Sequence, residues 1–187
     1  LEIVESGVRE FLDEYNNTQY SDNTIAKLGV YCGSIENLEE SIYPKMCEIL
    51  SDYKLDPNEV ILKFHKGNKE YPEPQNAQLE FDTLDKSISK KKIILLVQIG
   101  KEGWDCKSLT GVILSQEGDC PTNMVLQTSC RCLRQVDRNK VESALIYLNE
   151  GNADKLNIQL KKQHHIDIKE FEQGSKKQKV LINRYNR

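Results

Sequence analysis

The sequence predicts an α/β domain on a mainly parallel sheet, with helices on both faces. Three runs carry that prediction: IILLV at 93–97, GVILS at 111–115 and ALIYL at 144–148. They are apolar at nearly every position instead of alternating, which marks strands covered on both sides. The stretches between strands have the apolar spacing of helices. At 187 residues the chain is long enough to bury a core without metals or disulfides.

Residues 1–16 put Val4, Val8, Phe11, Leu12 and Tyr15 on one helical stripe. Residues 16–23 are polar and turn-like. KLGVYC at 27–32 reads as the first strand. Leu38, Ile42, Met46, Ile49, Leu50 and Tyr53 suit a helix, broken or restarted at Pro44, which has no amide hydrogen to give. A turn at 56–58 precedes a second strand, Val60–Phe64, and residues 66–76, with two prolines and a glycine, read as a loop. Helices are expected from about Ala77 to Lys90, from about Thr122 to Arg134, and from near Asn152. A basic tail follows at 174–179. Ligand sites in such sheets lie at the carboxyl ends of strands, which points to residues 32–34, 65–67, 98–106 and 116–121.

Composition narrows the class. The longest aliphatic run has five residues, Ile93–Val97, where a membrane span needs about 20. No basic start leads into an apolar segment, so no secretory leader is expected. Six cysteines, at 32, 47, 106, 120, 130 and 132, lack paired C-x-x-C spacing. They fit a reduced, cytoplasmic setting with no metal site. His164 and His165 point apart on a helix and read as a surface pair, and His65 as a plain surface histidine. Residues 1–59 carry 4 basic and 13 acidic side chains, a net of −9, against +6 for residues 60–187. The later excess is consistent with a polyanionic partner, and equally with solvated faces of unequal sign. The chain begins at Leu1 rather than Met, as expected of a piece of a longer protein.

Two constellations carry chemistry. Gln127, Arg131 and Arg134 are spaced i, i+4, i+7 beside an apolar stripe of Leu126, Cys130 and Leu133. An arginine sheltered in this way can grip phosphate with a planar fork and keeps its charge; a structural pair bound to carboxylates is the bland alternative. The GKEGWD stretch, Gly100–Asp105, follows a buried strand. Glycines there let backbone amides approach a phosphate, and Asp105 could hold a ribose hydroxyl or orient an arginine. Alone, the stretch also fits a plain βα turn with a buried Trp104.

In this order the two resemble the second motor lobe of superfamily 2 helicases. ILLVQIGKEGWDC at 94–106, GVIL at 111–114 and QTSCRCLR at 127–134 carry the resemblance. It is greatest to the restriction subunit of type III restriction enzymes and related DEAD/DEAH-box proteins, whose motif V is an EGWD loop and whose motif VI is Q-x-x-G-R-x-x-R. In layout it spans about residues 24–150, with KLGVYCGS at 27–34 in the place of motif IV. It implies a RecA-like three-layer domain over 24–150, an N-terminal helix and linker over 1–23, and a helical, basic extension over 151–187.

The resemblance also implies roles. Arg131 and Arg134 match arginine fingers that reach ATP phosphates held by another lobe. Gln127 matches a glutamine near the γ-phosphate. Gly103 and Asp105 match motif V, which couples nucleotide to nucleic acid. Gly33, Ser34, Lys66, Gly100 and Lys101 would touch the sugar–phosphate backbone, contacts that position without reading sequence. Two departures stand out: Cys130 replaces the motif VI glycine, and Gln98 and Ile99 replace a threonine.

The sequence holds no G-x-x-x-x-G-K-[ST] and no D-E-x-H or D-E-x-D box, so ATP and Mg2+ would be held mainly by an upstream RecA-like lobe of the same parent. A nuclease pattern is absent as well. The expected function is the second lobe of an ATP-dependent helicase or translocase on double-stranded DNA, with a modification or specificity subunit as a further partner and no membrane. The alternatives are a non-catalytic RecA-like nucleic-acid-binding module with a degenerate motif VI, and an unrelated α/β domain.

Overall fold

The computed structural model describes residues 1–97, 105–115, 125, 127–128, 130–133, 135–137, 140 and 142–164. The strands are β1 (Lys27–Tyr31), β2 (Ile61–Phe64), β3 (Ile93–Leu96), β4 (Leu109–Leu114) and β5 (Leu145–Leu148). They form one sheet in the order β2-β3-β1-β4-β5, every pair parallel. Val30 stands opposite Leu95 on one side and Ile113 on the other. The three inner strands are buried at every position. The edge strands each carry one half-exposed residue, Lys63 and Leu148. Two of the three continuous apolar runs, 93–97 and 111–115, thus form the inner strands β3 and β4, while the third, 144–148, forms β5 at the end of the sheet among the described residues.

Side chains leave each strand alternately to two cores. On one face α1 (Glu2–Tyr15) and α2 (Tyr43–Asp52) lay Val4, Val8, Phe11, Leu12, Met46, Ile49 and Leu50 against Leu28, Val30, Ile93 and Leu95. On the other, Tyr31, Ile94, Leu96, Val112 and Leu114 meet Leu84, Val125, Cys132 and Leu156. Leu156 belongs to α5 (Glu150–His164), the last helix among the described residues, which starts two residues before the expected Asn152. α1 comes unusually close to the sheet at Gly7, where a Cβ would stand 2.7 Å from Ile113 Cδ1.

The break expected at Pro44 is a change of helix type. Asn37–Ile42 is a π-helix in which Tyr43 N–H reaches Leu38 O, and α2 follows with Pro44 in its first turn. The Asp56 carboxylate accepts the Asn58 amide and starts a one-turn helix, α3 (Pro57–Val60), directly before β2.

Two expected helices are corrected. The 77–90 segment is helical only over α4 (Ala77–Asp82). Thr83 Oγ1 turns back to Leu79 O at 2.8 Å, and Asp85 is drawn away to bond residues 106–108. The 122–134 segment is helical at Val125, Gln127 and Thr128, but Cys130–Leu133 is a 3-10 turn. Gln127 and Arg131 therefore stand on helical turns of different type, and Arg134 lies outside the described residues.

Candidate functional site

The strand order creates a crevice. The connection from β1 runs through α2 toward β2, whereas β4 leads to β5 on the opposite side. Neighbouring strands whose connections diverge leave a gap at their carboxyl ends, the usual ligand position in α/β sheets. A cleft of about 480 Å³ lies there, lined by Cys32, Gly33, Ser34, Asn37 and Ser115, with Leu1, Val4 and Ile42 on its apolar side.

Its polar wall is set by local chemistry. Gly33 takes φ +80°, a left-handed turn that glycine adopts without strain. This turn brings Ser34 N–H to Cys32 O at 3.0 Å. Ser34 Oγ then accepts the Asn37 amide at 3.1 Å, and Asn37 Nδ2 donates to Cys32 O at 2.7 Å. Ser115 Oγ donates to Tyr31 O at 2.7 Å and ties the end of β4 to the end of β1. Glu36 stands beside this turn. Its carboxyl is held below the usual range by its own backbone amide and by Ser34, then by Asn68, whose Nδ2 donates to it at 2.6 Å. Cys32 is buried, and burial pushes its thiol far up, so it is a packing residue.

Arg131 lies on the second-core face, half-buried, with its charge felt at the Tyr31 hydroxyl at the end of β1. Burial pushes that hydroxyl up to about 12, against the opposing pull of Arg131 and the neighbouring Thr128 hydroxyl. Cys132 points inward, its thiol donating to Leu145 O. Gln127 is exposed. Asp105 is exposed, and the chain enters the core one residue later at Cys106.

The cleft thus unites Gly33 and Ser34 and adds Asn37 and Ser115, which the sequence reading missed. The only linear signals were an asparagine three residues after Ser34 and a serine closing an apolar run. Lys66 is not in the cleft. It follows β2, two strands from β1, where it pairs with Glu73 at 3.0 Å and bonds Gln78 at 3.1 Å. Its neighbour His65 is 1% exposed, not a surface residue, because Glu39 and the Gly67 amide bind its two ring nitrogens. Lys90, Lys91 and Lys92, at the entry to β3, are held by Glu59, Glu80 and Asn16 in turn. Gly100, Lys101, Gly103, Arg134 and His165 lie outside the described residues, as do 116–121 and the tail.

Among the described residues no group of three metal-ligating side chains converges, and no helix is long and apolar enough to cross a membrane. No protein-family model and no curated protein matches the chain. Among solved structures it is similar to one described as Mss116p DEAD-box helicase domain 2 bound to an RNA duplex. The match has a TM-score of 0.51 at 16% identity, and covers 89% of this chain and 57% of that one, so the chain spans under two thirds of that structure's length. At this identity the likeness speaks for architecture. The five-stranded parallel sheet with helices on both faces is the RecA-like α/β fold of a helicase second domain.

Proposed function

We propose that this chain is the second motor lobe of an ATP-dependent helicase or translocase acting on duplex nucleic acid. The observation that carries the reading is Arg131: a half-buried arginine whose charge is felt at the hydroxyl of Tyr31, the last residue of the central strand, on a fold shared with a helicase second domain. An always-charged, planar donor in a partly sheltered place suits a transferring phosphoryl group. Arg131 and Arg134 act as arginine fingers, Gln127 stands near the γ-phosphate, and Gly103 and Asp105 link nucleotide to nucleic acid.

Gly33 and Ser34 in the cleft, with Gly100 and Lys101, follow the sugar–phosphate backbone. Lys66 joins them from the edge of the sheet, and its exposed pair with Glu73 yields easily to phosphate. ATP with Mg2+ is the substrate. Without a P-loop sequence this chain supplies charge to the phosphates and leaves their cradle to an upstream lobe of the same parent. Residues 24–150 form the lobe, with 1–23 and 151–187 as its extensions. The parent is a cytoplasmic type III restriction-like enzyme on double-stranded DNA, with a modification or specificity subunit. An RNA duplex was present in the similar structure, so both duplexes belong in the test.

The test is ATP hydrolysis by the full-length parent, with and without DNA or RNA duplex, for wild type and Arg131→Ala. A duplex-stimulated rate falling about a hundredfold in the variant, some 2.7 kcal/mol of transition-state stabilisation, is the expected result. Equal rates would remove Arg131 from the mechanism. No hydrolysis by a well-folded parent would point to a non-catalytic binding module.

A further inference from the structure

We propose that Asp85 is a positioning residue for Asp105, anchoring the backbone directly behind it. Asp85 lies between α4 and β3, past the end of the helix. Its Oδ2 accepts Lys107 N–H at 2.6 Å. Its Oδ1 accepts Ser108 N–H at 3.0 Å, the Ser108 hydroxyl at 2.7 Å and the Cys106 thiol at 3.4 Å. One carboxylate therefore takes four donors from three successive residues. Bonds to an ionised acceptor are stronger than neutral ones, so the 106–108 backbone is held in one place.

The surroundings sustain that charge. Lys27 is fully buried with its Nζ on Ile25 O at 3.0 Å; burial lowers the pKa of its ammonium, and the attraction of Asp85, among other nearby charges, acts against that. Burial pushes the Cys106 thiol up to about 12, so it stays a neutral donor to Asp85 instead of competing as a second anion. The anchored segment begins one residue after exposed Asp105 and leads straight into β4. Asp105, itself exposed, thereby precedes a backbone segment that the Asp85 carboxylate holds in place. Positioning of this kind matters because small displacements of a reacting or binding group cost rate steeply.

The proposal rests on the reading of Asp105 as a nucleotide or nucleic-acid contact, and the test separates the two. In the full-length parent, duplex-stimulated ATP hydrolysis is measured for Asp105→Ala, Asp85→Asn and the double variant, with amide hydrogen exchange at Lys107 and Ser108. Asp85→Asn is expected to speed exchange at both amides and to lower kcat/KM about tenfold. In the Asp105→Ala background it should lower kcat/KM no further, since it acts only through Asp105. Faster exchange at unchanged kcat/KM, or fully additive losses, would overturn the positioning role. A wild-type rate for Asp105→Ala alone would overturn the reading of Asp105 and the proposal with it. Should Asp85→Asn not fold, Ser108→Ala removes only the hydroxyl donor and should act in the same direction, more weakly.

Discussion

The His65 ring is held from both nitrogens. Nδ1 accepts the Gly67 amide at 3.1 Å, so in the neutral ring Nε2 carries the hydrogen and donates to Glu39 Oε1 at 3.2 Å. Glu39 Oε2 takes Lys63 at 2.8 Å, and Lys63 lies 4.4 Å from the centre of the Tyr43 ring. Replacing His65 by Ala strands the Gly67 amide and half of Glu39. A loss of about 1–3 kcal/mol in urea unfolding is expected, and an unchanged midpoint would show the network to be dispensable. Asp85 gives a prediction in pH. Burial pushes its carboxyl up, but the donors from Ser108, Lys107 and Cys106 prevail and hold it below its ordinary 3.8. A group lowered on folding stabilises above its unfolded value, and that share is lost as pH falls through the folded one. Wild type should therefore exceed Asp85→Asn in stability at neutral pH, with the gap closing below about pH 4. Neither role could be read along the chain, because His65 meets Glu39 and Asp85 meets Ser108 more than twenty positions away.

At the scale of elements, α1 shows what periodicity reveals. Of the stripe read from spacing alone, Val4, Val8, Phe11 and Leu12 are buried and Tyr15, at the end of the helix, is half-buried. Gly7 was not singled out, because a glycine has no pattern until the sheet lies beneath it. A side chain there would meet Ile113 at 2.7 Å and Tyr147 at 3.1 Å. Gly7→Leu should destabilise by about 1–3 kcal/mol, although leucine favours helix over glycine by nearly 1 kcal/mol. A more stable variant would mean that the core below α1 yields freely. Expectation and structure part where a distant partner competes with local preference. The 77–90 pattern carries apolar residues enough for a helix, yet the helix ends at Asp82, Asp85 bonds residues 106–108 instead, and Leu79 and Ile88 are 65% and 82% exposed.

For the whole molecule the sheet is the common wall of two cores. Ile94 and Leu95 are adjacent and fully buried, yet they face different clusters. Ile94→Ala and Leu95→Ala should each cost about 2–5 kcal/mol by chemical unfolding and combine nearly additively, since the two cavities open on opposite faces. Strong coupling between them would show that the sheet transmits strain. Seven of the thirteen acidic side chains of residues 1–59 lie on α1 and α2, which cover the first face of the sheet.

The sequence by itself determined the class of fold, the strands and the helices α1 and α2. A strand buried on both sides needs an apolar residue at nearly every position, and a helix laid on a sheet needs a stripe, and both are local patterns. Motif order also singled out Gly33, Ser34, Asp105 and Arg131 as candidates. Only the tertiary structure decided the order β2-β3-β1-β4-β5, the crevice between β1 and β4 that adds Asn37 and Ser115, the burial of His65 and the anchoring by Asp85. Each of these depends on which distant segments lie side by side, and that choice follows from packing two cores against one sheet.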